Sequence, residues 1–178
     1  MKISLKDAST CRLDASGKSA AYLALGAPAS VDRAILAELE AESERLGRKN
    51  VRLCLHSDPA SSLHDMVVLI RGELYARPHK HKDKGESYHV LAGRAAALVF
   101  DDSGKVTDQR VLSPDGEFLY RLAPGVFHTL VPLTKTFIYH ETRPGPFVPA
   151  TDAIFPAWAP DGSKNDEGLA FLKGLLKP

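Results

Sequence analysis

From Val31 onward the apolar residues recur first every three to four positions and then every second one. Ile35, Leu36, Leu39 and Leu46 keep helical spacing among Glu38, Glu40, Glu42, Glu44 and Arg45. That spacing predicts one amphipathic helix, with Ser30 as its N-cap and Gly47 as its stop. The period then becomes two, since Val51, Leu53 and Leu55 alternate with Arg52, Cys54 and His56. Such alternation predicts a half-buried strand. Further short strands are expected near 66–70, 74–78, 87–91, 95–100, 109–112, 117–122, 129–132 and 136–142. Turn signals at Lys84-Gly85, Asp101–Gly104, Pro114–Gly116 and Pro124-Gly125 separate several of them. Many short strands at this interval suggest a sandwich or barrel.

The flanks read differently. Residues 1–30 are short apolar pieces broken by Gly17, Gly26 and Pro28, predicting extended segments or a small ribbon as an N-terminal extension. Residues 31–50 carry the helix leading into the barrel, and residues 51–147 carry the barrel itself. A Pro-rich tail, residues 148–178, would be anchored by Trp158 and closed by a short helix over 168–176.

Composition narrows the class. The 178 residues are 44% hydrophobic and 25% charged, which suits one soluble domain and excludes wholesale disorder. A net charge of +1 is too balanced for a chain that lives on phosphate backbones. Ala20–Ala27 is a weak match to a secretion-signal core, but Asp7 and Asp14 precede it. The protein is therefore expected in the cytoplasm, with Cys11 and Cys54 reduced. No phosphate-cradling loop, dinucleotide fingerprint or nucleophile elbow occurs. The acidic helix disfavours anionic membranes.

The chemistry concentrates between Gly72 and Gly93. His79 and His81 stand two apart, which on extended chain puts both rings on one face, with Cα atoms about 6.5–7 Å apart. Glu86 opens the returning strand after a polar turn and can face back towards them. His128 follows the Pro124-Gly125 turn, which aims the next strand's first side chains inward. Three imidazoles and a carboxylate suit one divalent transition metal (Zn, Fe, Mn, Ni or Co) with positions left open.

Strand parity sorts the neighbours. Glu86, Tyr88 and Val90 share one face, so His89 points away. Glu141 shares a face with Phe137 and Tyr139, and His140 takes the other. Arg52 and His56 share the polar face of their strand, a solvent face on parity alone and a polar pocket wall on the family resemblance below. His64, alternating with Met66 and Val68, is a candidate for reaching the same cavity. Tyr75 and Arg77 share the parity of His79 if residues 74–78 form a regular strand, and one of them would then meet an anionic ligand. Lys80, Lys82 and Lys84 read as a solvated loop.

His-x-His, four residues, Glu, six residues, Gly resembles the first cupin motif, and Pro-Gly-x-x-His resembles the second. Two departures stand out: six rather than five residues separate Gly72 from His79, and Pro132 stands where many cupins have Asn. Arg52–His56, Arg77–His81, Leu98–Gly104, Glu141–Phe147 with its Arg-Pro-Gly-Pro-Phe, and Phe155–Pro160 together resemble the WbuC family of cupin-fold metalloproteins. The resemblance runs from about Val31 to Gly162. It implies a mainly β fold, a single cupin jelly-roll β-barrel in which His79, His81, Glu86 and His128 hold the metal. It also favours Glu141 as a pocket-lining group, with Tyr88 as the other candidate for proton transfer. Members are often associated with bacterial surface-polysaccharide gene clusters, and the family's reaction is not established. The expected function is metal-assisted chemistry on a small polar, carbohydrate-related molecule. A non-catalytic ligand-binding cupin and an Fe(II)-dependent dioxygenase are the alternatives. By the same analogy the chain is expected to be a homodimer.

Overall fold

Alternating apolar positions build two facing sheets in the computed structural model, which describes residues 1–14 and 19–177. Gly17 lies outside the described residues. The larger sheet orders its strands β1 (Cys11–Asp14), β2 (Ala20–Ala24), β3 (Val51–Cys54), β4 (Leu63–Arg71), β10 (Thr136–Pro144), β5 (Glu86–Ala92) and β8 (Leu119–Leu122). The smaller orders β7 (Val106–Leu112), β6 (Ala95–Phe100) and β9 (Phe127–Pro132). All ladders are antiparallel except the β2–β3 pair. The first thirty residues thus supply two strands of the larger sheet.

The expected closed barrel is not formed. No ladder joins the two sheets among the described residues, and only isolated bridges such as His79–His128 and Leu112–Glu117 cross at the rim. The arrangement is an open sandwich with a mouth between its sheets. Facing side chains still fill its interior: Met66, Val68, Tyr88, Val90, Ala97, Leu130, Phe137 and Tyr139 form one buried cluster.

Each sheet also buries its outer face. Helix α1 (Ala34–Arg45) lays Ile35 and Leu39 on Val51, Leu53, Val67, Leu69 and Ile138 of the large sheet. Helix α2 (Asn165–Leu175) brings Leu172 and Phe171 onto Leu98, Phe100 and Phe127 beneath the small sheet. Trp158 joins that cluster, with ring centroids 5.0 Å from Phe100 and 5.8 Å from Phe127.

Two local expectations are overturned. Helix α1 starts at Ala34, where the Asp32 carboxylate accepts the Ala34 N–H at 2.9 Å. Ser30 is instead bound to Met1 O through its own N–H. At the other end Gly47 does turn the chain, with φ 77°. Residues 74–78 are not a strand. Tyr75 is pressed against Gly168 of α2, where an added Cβ would sit 2.2 Å from its ring. The Tyr75 hydroxyl donates to Pro160 O and the Tyr75 N–H to Asn165. Contacts with the tail, not a sheet ladder, set this segment.

Candidate metal centre

His79 and His81 lie on a short extended piece held on both sides. His79 exchanges backbone hydrogen bonds with His128 at 2.9 and 3.1 Å, and Lys80 exchanges a pair with Ile154. Gly125 N–H donates to His81 O at 2.7 Å, tying in the turn that precedes His128. Lys80 therefore points outward, to Asp102 and over the Phe127 ring, while its histidine neighbours face the mouth. Glu86 enters from β5 and His128 from β9.

One potential ligand atom from each of His79, His81, Glu86 and His128 falls within a cluster no wider than 4.8 Å. His81, Glu86 and His128 are buried and His79 is partly so. In all three histidines Nδ1 meets a backbone carbonyl: Arg77 O for His79 at 3.1 Å, Asp152 O for His81, and Val126 O for His128 at 2.9 Å. A carbonyl can only accept, so each Nδ1 carries its proton and each Nε2 keeps a lone pair. Outer partners of this kind orient metal-binding imidazoles.

The quartet lacks a positive centre of its own. His128 Nε2 and Glu86 Oε1 stand 2.6 Å apart, both buried, without the alignment of a hydrogen bond. Two lone pairs that close call for a cation between them. A proton can serve: burial would lower the His128 pKa, but the Glu86 carboxylate raises it above 6.5. Burial pushes His79 down to about 4 and lowers His81 as well, which keeps both neutral. Burial also works against the Glu86 charge, but the imidazoles beside it hold its carboxyl below the usual 4.5. With His79 and His81 neutral and Glu86 ionised, His128 has only to exchange its proton for the metal to complete the donor set that a divalent ion requires. The residues present fit such an ion.

The quartet opens into a chamber of about 300 Å³ whose walls include Arg52, Met66, Val68, Leu130, Tyr139 and Glu141. Glu141 is largely buried; burial first, then the nearby Glu86 charge, push its carboxyl up to about 7. Burial also raises Tyr88 well above 10, so its hydroxyl stays a donor. His89 is exposed and rests against Phe118, and His140 faces away towards Asp65 at 3.3 Å.

Other candidates fall outside this chamber. His56 and His64 stack at 4.1 Å in a separate cavity of about 110 Å³, behind a wall of Arg52, Met66 and Arg143. Tyr75 and Arg77 line an outer cavity of about 540 Å³ that touches the quartet only at His79. Arg77 donates to Pro156 O and Asp161 O and lies over the Phe155 ring, so its charge is spent on the tail.

Two chamber residues escaped the sequence reading. Arg143 sits two positions beyond Glu141 on β10, and its parity with Tyr139 and Glu141 could have flagged it. Its guanidinium reaches Asp152 at 2.9 Å and donates to His81 Nε2 at 3.1 Å. Asp152 lies in the irregular tail, where no periodicity could announce it, and also pairs with Lys84 at 2.5 Å.

Comparison with known proteins supports the fold. CapF bound to the inhibitor 3-isopropenyl-tropolone matches with a TM-score of 0.50 and 16% identity, over 59% of this chain and 31% of that one. CapF of Staphylococcus aureus, described as a capsular polysaccharide assembling protein, matches with a TM-score of 0.51 and 16% identity, over 59% and 29%. The fold is cupin-like. A variant of Bacillus subtilis oxalate decarboxylase OxdC aligns at a TM-score of 0.47 and 16% identity, over 60% of this chain and 27% of that one. The chain thus spans less than a third of each of these structures. A family described as "Domain of unknown function (DUF6016)" matches residues 31–112. No curated protein matches the chain. No helix among the described residues is long and apolar enough to cross a membrane.

Proposed function

We propose that this chain is a metal-dependent cupin of the WbuC type, acting in the cytoplasm on a small polar, carbohydrate-related molecule. One observation carries the metal assignment. Three carbonyl-anchored imidazoles turn Nε2 lone pairs towards one buried carboxylate, and the closest of them, His128 Nε2 beside Glu86 Oε1, has no hydrogen-bond partner and calls for a cation. His79, His81, Glu86 and His128 would hold the ion. Such an ion supplies Lewis acidity, polarising a carbonyl or hydroxyl oxygen and acidifying bound water.

The chain's own groups do the rest. Glu141, balanced near neutrality at about 7, can hold or release a proton beside the quartet. Tyr88 keeps its proton and serves as a donor facing Glu86. Met66, Val68 and Leu130 exclude water from the inner end of the chamber. The carbohydrate reading draws on the motif resemblance and on the likeness to CapF, a capsular polysaccharide assembling protein. Pairing of two copies through sheet edges belongs to the same proposal.

Elemental analysis of tag-free protein is the test, followed by titration with sugar and sugar-nucleotide panels. About one equivalent of a transition metal, lost on replacing His79, His81 or His128 by Ala, is expected. Unchanged metal content in all three variants overturns the assignment. Oxygen uptake with an iron-loaded sample would turn the chemistry to a dioxygenase.

A further inference from the structure

Arg143 is buried, 9% exposed, and its guanidinium is only partly satisfied. Nη2 is paired with Asp152 at 2.9 Å, and Nη1 donates to His81 Nε2 at 3.1 Å. Nε lies 3.4 Å from Glu141 Oε1 yet makes no hydrogen bond. An imidazole nitrogen has one lone pair. An ion bound through His81 Nε2 would take the acceptor that Nη1 now uses. Metal loading therefore leaves Arg143 with two donors, Nη1 and Nε, that need an acceptor inside the chamber.

Charge leads the same way. Arg52 and Arg143 line the chamber with Glu86, Glu141 and Asp152, and Lys84 pairs with Asp152 from outside it. A dication tips the sum of these charges positive. The vacated donors belong to a planar fork whose natural partner is a carboxylate, held by two parallel N–H···O bonds. Phosphate suits the space less well. Met66, Val68, Ile70 and Leu130 give a strongly hydrated dianion nothing to bind.

Resting on the metal assignment above, we propose that the chamber receives a small carboxylate beside the ion, with Arg143 as its anchor. Ion and ligand then bind in order, because the anchor is released from His81 only when the ion arrives. The ligand class is thereby narrowed to acids, such as a sugar acid or a hydroxy acid, and neutral sugars are disfavoured.

Cobalt(II) loading of the full chain, read by its visible absorption, tests this without any knowledge of the reaction. Glycolate, its neutral counterpart glycolamide, and inorganic phosphate are titrated into the cobalt protein. A saturable spectral change is expected with glycolate, at an affinity at least tenfold above that for glycolamide or phosphate. In Arg143→Gln the glycolate affinity should fall tenfold or more and approach that of glycolamide, with Arg143→Lys in between. Equal binding of glycolate and glycolamide by the unaltered protein, or tighter binding of phosphate, overturns the proposal with no variant required. Unchanged glycolate affinity in Arg143→Gln overturns it too. Failure of cobalt to bind the unaltered protein defeats the metal assignment itself and this proposal with it. Cobalt binding without carboxylate preference defeats this proposal alone.

Discussion

The protein holds two groups of clustered histidines, one on each side of the Arg52–Met66–Arg143 wall, and they are built in opposite ways. In the quartet every imidazole Nδ1 is tied to a backbone carbonyl, so every Nε2 turns inward with its lone pair, that of His81 accepting from Arg143. In the pair, His64 uses Nε2 to reach Pro59 O, His56 leaves Nδ1 buried without a partner, and the rings lie flat on each other at 4.1 Å. Burial lowers the pKa of both members of the pair. Histidines brought together do not make a metal centre. Carbonyls that choose which nitrogen faces inward, and a carboxylate to face it, do.

The largest expected contrast is in metal content. Outer-shell partners alone are worth roughly 10–100-fold in affinity, so replacing His79, His81 or His128 by Ala should cost on the order of 100-fold or more. His56→Ala and His64→Ala should leave metal content unchanged in elemental analysis. Loss of metal from a pair variant would erase the distinction between the two groups.

Chelation gives the next effect. At a free metal concentration of 100 times Kd the ion stabilises the fold by about 2.7 kcal/mol. Removing it with a chelator should lower Tm by roughly 5–10 °C in a chain of this length. The pair variants should retain that drop and His128→Ala should lose it.

Glu141 provides a pH test on the quartet's side of the wall. Its ordinary pKa is 4.5 and its folded value is about 7. The unfolded chain gives up this proton first, so the favourable contribution is complete below 4.5 and drains away as pH rises through 7. Metal-free protein should lose on the order of 3 kcal/mol across that window, measured by urea denaturation. Glu141→Gln should flatten the decline. A slope that survives the substitution would assign it elsewhere.

The smallest predicted effect concerns the tail. Asp152→Asn removes the charge that Arg143 and Lys84 share while leaving the backbone carbonyl behind His81 in place. Metal affinity should fall by about tenfold, well short of losing a ligand. A collapse equal to that of His81→Ala would show that the side chain, rather than the carbonyl, aims the ring.

How much of this was legible in the sequence follows from how far each determinant lies from the residue it acts on. The quartet stood out because spacing within two short motifs places side chains that meet across one rim. Parity sufficed for Glu86, Tyr88 and His89, since that part of β5 pairs in unbroken register with β8. Parity failed for Tyr75 and Arg77, because residues 74–78 answer to the tail through Gly168, Pro160 and Pro156. His56 was misplaced for a related reason. β3 ends at Cys54, so the alternation that carried Arg52 into the chamber stops before reaching it. Strand count left sandwich and barrel both open, and the closed barrel came from the family resemblance, whose motifs fix a site but not whether sheet edges meet.

The carbonyl that orients His81 comes from Asp152, 71 residues further along. A core trimmed at residue 147 would keep all four members of the quartet and discard the atom that steers one of them. The same cut would strip Trp158 and α2 from the outer face of the small sheet, so a shortened protein should lose helix signal in circular dichroism as well as metal affinity in a titration.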